Sequence, residues 1–441
     1  MIRNKVIIFS ILLSTGLLSI YKFHFQSANK SGNINKQSAK NITCPAPSQQ
    51  TFWKIQSIDT MKQSRDLARA KKNDKSFERE IDQQVSAISS TGATHITIDT
   101  PYDPEFIPFL KKWIASARKY NLKIWFKGNW SGWEGWFNYP KNLSRRQHQQ
   151  KTIAFILQYP EFFEDGDIFS PCPECENGGP GDPRQNKNAV SHQQFIIKEF
   201  EACNKSFKKI NKKVLVLFPM NNDVAKMIMD KKTTAALGGY VTTDHYSKSH
   251  QQLIEDLRQL AINSGGKIVL GEFGLPIPDI HGQISPKKQA EWIKALLKDL
   301  SIHKKIIGVN YWVNKGGSTA IWQNNNEAKP AVNILRKAFK PQVFYGRIVD
   351  EFNQSIKSAE IKSQNYSTGT NQQGCFFLLV WPQEKSLFTI KADNFNDKNI
   401  TLNNQSKSYQ KIVLSQKDVN KYYHIKLELY KKFGLNLQKH K

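Results

Sequence analysis

Between Phe52 and Phe339, short apolar runs rich in β-branched residues take turns with longer stretches whose apolar residues recur at helical spacing. The runs are FWKIQSID (52–59), THITID (94–99), LKIWFKG (122–128), GDIFSP (166–171), KVLVLFP (213–219), GGYVTT (238–243), KIVLGE (267–272) and KIIGVNYW (305–312). The helical stretches include FEREIDQQVSAIS (77–89), EFIPFLKKWIASARKY (105–120), HQQFIIKEFEACNKSF (192–207), HQQLIEDLRQLAIN (250–263) and QAEWIKALLKDL (289–300). Eight strand–helix units in a row predict an α/β fold, a (β/α)8 TIM barrel over residues 51–340, in preference to an open doubly wound sheet. No G-x-G-x-x-G or Walker loop follows the first run, which argues against a nucleotide-binding sheet. With 39% hydrophobic residues in 441, the chain has the material for a core of that size.

After Lys340-Pro341 the period changes from helical to two, with turns at DEFNQS, TGTNQQG and PQEKS, as in a small all-β, antiparallel sandwich over residues 342–431. Gly346-Arg347-Ile348-Val349-Asp350, the pair Ala359 and Ile361 around Glu360, and Thr370-Asn371-Gln372-Gln373-Gly374-Cys375-Phe376 carry a resemblance to carboxypeptidase-regulatory-like, prealbumin-type modules. That resemblance implies an accessory or adhesive domain and no second active site. Residues 432–441 read as a frayed tail.

The N-terminus places Arg3 and Lys5 before an uncharged run from Val6 to Ile20, the layout of a secretory signal. Residues 1–26 are expected to act as a signal peptide or an uncleaved membrane anchor, and the polar residues 27–50 as a disordered linker. The expected localisation is extracytoplasmic, membrane-anchored or secreted. A net charge of +27 raises the question of nucleic acid, but the lysines are scattered and no basic block is interleaved with aromatics, so no nucleic-acid partner is expected. A basic surface leaves an anionic cell-surface polymer or lipid headgroups as possible partners.

In a barrel of this kind chemistry gathers at the C-terminal ends of the strands. Those ends carry Asp59, Asp99 with Tyr102, Lys127 with Asn129 and Trp130, Glu174, Asn221 with Asn222, Asp244-His245-Tyr246, Glu272, and Trp312 with Asn314. A glutamate after the fourth run and another after the seventh, in KIVLGEFGLP, give the chain a resemblance to the clan of retaining glycoside hydrolases built on (β/α)8 barrels, of cellulase or mannanase type. The resemblance implies Glu272 as nucleophile and Glu174 as acid/base, Tyr246 or alternatively His245 as the residue orienting the nucleophile, and Trp312 as the floor under the sugar at the cleavage point. Members of the clan usually carry Asn directly before the acid/base. Here that position is Pro173, which makes Glu176, followed by Asn177, the rival acid.

Physical chemistry stands beside the resemblance. Retaining hydrolysis needs one ionised carboxylate to attack the anomeric carbon and one protonated carboxyl to donate to the leaving oxygen. A second carboxylate nearby and partial burial would keep Glu174 protonated. The loop GNWSGWEGWFNYP (128–140) concentrates Trp130, Trp133 and Trp136, and these, with Asn129, Asn177 and Trp312, are the candidate substrate-binding residues. Packing as plain cover over the barrel is the alternative reading of the Trp loop, and a structural ion pair is the plainer role for Asp59 and Arg65.

The stretch FSPCPECENGGPGDP (169–183) leaves several readings open for Cys172 and Cys175. A zinc site would have to recruit Cys203 and His281, because no second CxxC or HxxxH accompanies the pair. A redox dithiol belongs at a helix N-terminus of a βαβ unit. A local disulfide, or two free thiols fixing the turn, is the third reading. No cofactor and no metal are expected. The function expected from all this is hydrolysis of a β-linked poly- or oligosaccharide by double displacement; the alternative is a non-catalytic, carbohydrate-binding or adhesive surface protein on a degenerate barrel.

Overall fold

A computed structural model describes residues 43–417 except 49, 383, 384 and 404. The N-terminal apolar run, most of the linker and the tail lie outside the described residues. Among the described residues no helix is long and apolar enough to cross a membrane.

Nine parallel strands form one curled sheet: β1 (Ile55–Asp59), β2 (His95–Ile98), β3 (Lys123–Phe126), β4 (Ile168–Phe169), β5 (Leu215–Val216), β6 (Pro219–Asn221), β7 (Tyr240–Asp244), β8 (Lys267–Phe273) and β9 (Ile306–Tyr311). Their order is β5-β4-β3-β2-β1-β9-β8-β7-β6. The two ends of that sheet, β5 and β6, are consecutive pieces of one stretch, the run KVLVLFP with the Met220 and Asn221 that follow it, separated only by Leu217 and Phe218. The first piece pairs with β4 and the second with β7. The sheet is therefore an eight-stranded TIM barrel whose fifth strand is shared between its two neighbours. Pro219, which has no N–H to donate, begins the second piece.

Period two along the strands builds the barrel interior in layers. Ile55, Trp125, Ile168, Leu217 and Val269 form a small apolar cluster of their own. Two residues further along lies a polar layer, where Ser57 and Thr97 share a hydrogen bond of 2.8 Å and Thr97 donates to Asn310 at 3.0 Å. Two residues beyond that, on the same faces, come Asp59, Asp99 and Lys127. The interior thus runs from apolar to polar to charged towards the C-terminal ends, which puts the charge at the mouth.

The five expected helices are present as Ser76–Ser90, Ile107–Lys119, Ala189–Lys209, His250–Ser264 and Pro286–Ser301. Their apolar faces pack with the outer faces of the strands into the main core. Sequence periodicity did not reveal the helix Arg145–Gln158. It buries His148 and Thr152 beside Phe155 and Ile156, so half of its inner stripe is polar. A capping box at its start, Ser144 with Gln147, was the signal available.

The C-terminal strands are β10 (Gln342–Val349), β11 (Glu360–Lys362), β12 (Ser367–Gly369), β13 (Cys375–Val380), β14 (Ser386–Lys391), β15 (Lys398–Leu402) and β16 (Tyr409–Val413). They make a three-stranded sheet, β13-β10-β16, and a four-stranded sheet, β12-β11-β14-β15. Phe344, Ile348, Phe376 and Ile412 of the first sheet share one core with Ile361, Phe388, Ile390 and Leu402 of the second. The expectation of a wholly antiparallel sandwich is corrected at one ladder, because β10 pairs with β16 in parallel. Gly346 belongs there because a Cβ would sit 1.8 Å from the carbonyl oxygen of Gln410. A disulfide between Cys44 and Cys375, 331 residues apart, ties the segment before the barrel to β13. Trp381 at the end of β13 joins the barrel core, its ring stacked on Phe52.

Candidate active site

Lys127, one residue beyond β3, is the one cation in the charged layer among the described residues, and it is buried at 1% exposure. Its ammonium donates to Asp59 Oδ2 at 3.0 Å and to Glu272 Oε1, and lies 3.5 Å from Asp99 Oδ1. Burial opposes its charge, but Asp59, Glu272 and Asp99 more than offset that and hold its pKa well above the usual lysine value. Asp59 also accepts from Asn310 Nδ2 at 3.2 Å, and its other oxygen receives Met61 N at 2.7 Å. Arg65 is not its partner, contrary to the ion pair considered from sequence; Arg65 bonds Asp66 instead.

Glu272 is the sixth residue of β8 and is 7% exposed. Besides the lysine, Tyr246 donates its hydroxyl to Glu272 Oε2 at 2.7 Å. Each oxygen therefore has a donor, one of them cationic, and the setting suits a carboxylate. Burial and then the charge of Glu272 raise the Tyr246 pKa well above its usual value, so the phenol stays a donor. Asp244, at the end of β7, is buried with neither carboxyl oxygen hydrogen-bonded, and burial followed by the Glu272 charge lifts its pKa well above the carboxylate range. Gly271 makes room for it, since a Cβ there would lie 2.4 Å from Asp244 Oδ1.

Glu174 reaches the same mouth from the loop after β4. Its backbone is left-handed, with φ 45° and ψ 47°, its N–H donates to Pro219 O at 2.7 Å, and its side chain is half-buried. One side-chain donor serves it, Asn177 Nδ2 at 2.9 Å from Oε2. Burial first, then the charges of Glu272 and Glu176, push its pKa up to about 8. Glu176 is turned elsewhere: its Oε1 accepts from Asn221 N at 2.7 Å and Asn221 Nδ2 at 3.1 Å, at the end of β6. Glu134, which sequence reasoning passed over, lies in the Trp loop with its pKa raised to about 7 by burial, against a 2.7 Å bond from Asn129. Its only sequence signal was an acidic residue amid the tryptophans.

The aromatic residues divide. Trp130 and Trp133 are corrected from substrate platforms to core. They are 4% and 1% exposed; Trp130 Nε1 bonds Thr152, Trp133 stacks on Phe195, and Trp133 Nε1 donates to Cys175 O. The tight turn of the loop folds both rings inward beneath it. Trp136 stays half-exposed under Arg65, 4.7 Å above its ring. Trp312 is half-buried at the mouth, edge-on to Tyr246 with ring centres 6.0 Å apart. Asn129 is corrected too: its oxygen accepts from Trp130 N and His148 Nε2, its nitrogen bonds Glu134, and none of it is exposed. His245 bonds Asp256 at 2.8 Å and meets Glu272 only through its backbone N–H, so of these two residues it is Tyr246 that touches the carboxyl. Asn177 is exposed beside Glu174 and accepts from Arg184 at 2.6 Å.

Cys172 and Cys175 are bonded to each other, which leaves no thiolate there for zinc, and Cys203 is a separate, buried thiol. Among the described residues no group of His, Cys, Asp and Glu is arranged to hold a metal ion.

No protein-family model matches the sequence, and no curated protein matches it. Similar solved structures include an FMN-binding β-glucuronidase from Facaelibacterium prausnitzii L2-6, 11% identical with a TM-score of 0.43 over 74% of this chain and 53% of that one. Bacteroides uniformis β-glucuronidase 2, covalently bound to cyclophellitol-6-carboxylate aziridine, is 10% identical with a TM-score of 0.46 over 82% and 46%. The β-D-glucuronidase of Dictyoglomus thermophilum is 13% identical with a TM-score of 0.45 over 66% and 50%. The chain spans about half the length of these proteins. Identities of this size leave substrate and residue roles to be read from the site itself.

Proposed function

We propose that the chain is a glycoside hydrolase cleaving a β-linked poly- or oligosaccharide with retention, Glu272 acting as nucleophile and Glu174 as acid/base. The observation that carries this reading is the contrast between two glutamates at one barrel mouth. Glu272 has donors on both oxygens, and Glu174 has its pKa lifted to about 8 by burial and by the Glu272 charge. Glu174 is preferred to Glu176 because its side chain is only half-buried and so open to a leaving group, whereas Glu176 is 2% exposed and holds two donors from Asn221 on one oxygen.

The geometry suggests how the two steps follow one another. Glu272 attacks the anomeric carbon while Glu174 gives its proton to the leaving oxygen. Once Glu272 is esterified its charge is gone, and with it a main cause of the raised Glu174 pKa. Glu174 is then the stronger acid, sits as a carboxylate, and takes a proton from the water that hydrolyses the ester. Tyr246 and Lys127 hold the Glu272 carboxylate before it attacks and receive it again when the ester is hydrolysed. Trp312 supplies an apolar face beside it, and Trp136 a second one further out.

Two disulfides in the described chain suit an oxidising compartment. With the N-terminal apolar run, they support an extracytoplasmic protein, secreted or held at the membrane, whose basic surface meets anionic polymer. The C-terminal sandwich then serves as an accessory domain.

The test is release of reducing ends from β-glucan, mannan and xylan, with Glu272→Gln as control. A 2-fluoro glycoside should label the peptide bearing Glu272, and NMR should detect the β-anomer first. Full activity in Glu272→Gln, or an inverted first product, ends the proposal. Polysaccharide binding without turnover would favour a binding protein instead.

A further inference from the structure

Glu174 lies inside a small covalent ring. Cys172 and Cys175 are joined with only Pro173 and Glu174 between them, their Cα atoms 5.1 Å apart. Within this ring Glu174 adopts a left-handed backbone that residues with a Cβ seldom visit. Pro173 fixes its own φ and removes a donor. The ring is fastened to the core on both sides. Cys172 Sγ accepts from Asn129 Nδ2 at 3.8 Å, and Cys175 O accepts from Trp133 Nε1 at 3.3 Å. Asn129 and Trp133 are themselves buried, bonded to or packed on His148. Cys172, Pro173 and Cys175 are all buried, and Glu174 is the one member of the ring that is not.

The carboxyl of Glu174, by contrast, has Asn177 as its one side-chain donor among the described residues. Its direction is therefore set through the main chain. Glu272 is held the other way, by side-chain donors on a regular strand. The two halves of the site depend on different supports, and one support can be removed without the other.

We propose that the Cys172–Cys175 disulfide is the positioning device of the acid: it keeps Glu174 in the left-handed turn from which its carboxyl faces the leaving-group side of Glu272. The inference rests on the glycosidase reading above. Opening the ring frees Glu174 to relax to an ordinary φ and swing its carboxyl away, while Lys127 and Tyr246 keep Glu272 in place. Acid assistance matters only for leaving groups that need a proton. The defect should therefore depend on the leaving group.

The probes are 2,4-dinitrophenyl and phenyl β-D-glycosides of glucose, mannose, xylose, galactose and glucuronic acid, assayed with the full chain. The sugar that the wild type turns over is used for all variants. In the double variant Cys172→Ala/Cys175→Ala, kcat/KM, which reports the step that expels the leaving group, should fall about 10–100-fold on the phenyl glycoside and less than about threefold on the dinitrophenyl glycoside. The alkaline limb of the phenyl-glycoside pH profile should shift in the same variant. Glu174→Gln should show the same selectivity more strongly. Equal loss on both probes, or loss on neither with an unmoved alkaline limb, overturns the positioning role. Selectivity in Glu174→Gln alone would leave the glycosidase reading standing without the clamp, whereas a wild type that neither turns over these glycosides nor releases reducing ends from the polysaccharides removes that reading itself. Should the double variant fail to fold, the comparison is made on Cys44→Ser/Cys375→Ser protein with and without a phosphine reductant. Alkylation and mass spectrometry of the Cys172 peptide then report the ring opening, and the same leaving-group selectivity is expected on reduction.

Discussion

Glu272 stands in a seven-residue strand, whereas Glu174 stands in a turn that belongs to no strand. Both are carboxyl groups at one barrel mouth, but their surroundings treat them in opposite ways. β7 and β9 flank β8, so the backbone of Glu272 is set by ladders and its oxygens meet Lys127 and Tyr246. The loop of Glu174 has no ladder. It is set by a disulfide, a proline and a bond to Pro219 O, and its carboxyl is governed by burial and by neighbouring charge. Donors favour the ionised form, and burial beside like charge favours the protonated one. Identical side chains thereby stand in contrasting surroundings.

The sharpest way to break this contrast is Glu272→Gln, for which we expect a loss of kcat of at least about 10⁴ on every substrate, activated or not. Survival of turnover of a dinitrophenyl glycoside would remove the distinction between the two glutamates. Lys127→Met should come next. It leaves Asp59 and Glu272 without their buried cation, and a stability loss of about 3–5 kcal/mol is expected, read as a lower denaturant midpoint. An unchanged midpoint would mean that the cage does not depend on the lysine. Tyr246→Phe removes one donor from Glu272 and should lower kcat about 10–100-fold with the fold intact, measured beside the thermal midpoint. If KM alone moved, Tyr246 would belong to binding and not to the nucleophile.

The smallest effects concern protons. Glu174 must be protonated to donate, so kcat/KM should fall as pH rises through about 8. Its carboxyl is raised above the unfolded value, which sets the sign for stability. Below the unfolded value of about 4.5 both states hold the proton and nothing is lost. Between there and about 8 the unfolded chain releases its proton first, so stability declines with rising pH. Glu134 adds the same trend up to about 7. Denaturant titrations of Glu134→Gln and Glu174→Gln should show a flatter decline than the wild type; parallel curves would show that these groups are not proton-bound in the native state.

Much of the barrel was legible because its signals are local. Each strand announces itself by a few β-branched residues, each of the five expected helices by apolar residues three and four apart. The helix Arg145–Gln158 was hidden because His148 and Thr152 take inner positions that periodicity assigns to apolar residues. The division of the stretch 213–221 into β5 and β6 was hidden because it arises from pairing with two different neighbours. At the mouth, the strand ends named Asp59, Asp99, Lys127, Asp244, Tyr246 and Glu272, which the structure gathers there, since period two carries the inward face straight to those residues. It did not say who bonds whom.

What the sequence by itself determined is therefore the alternation of strand and helix, the change to a sandwich after Pro341, and the presence of acidic residues where barrel strands end. These follow from side-chain chemistry within a few residues. Only the tertiary structure decided that Trp130 and Trp133 turn inward, that Asp256 takes His245, that Asn221 takes one oxygen of Glu176, and that Cys44 bonds Cys375 across 331 residues. Such choices depend on which segments meet after the chain closes into a barrel. A residue's type limits its partners, but its burial and its neighbours' charges exist only once the fold does.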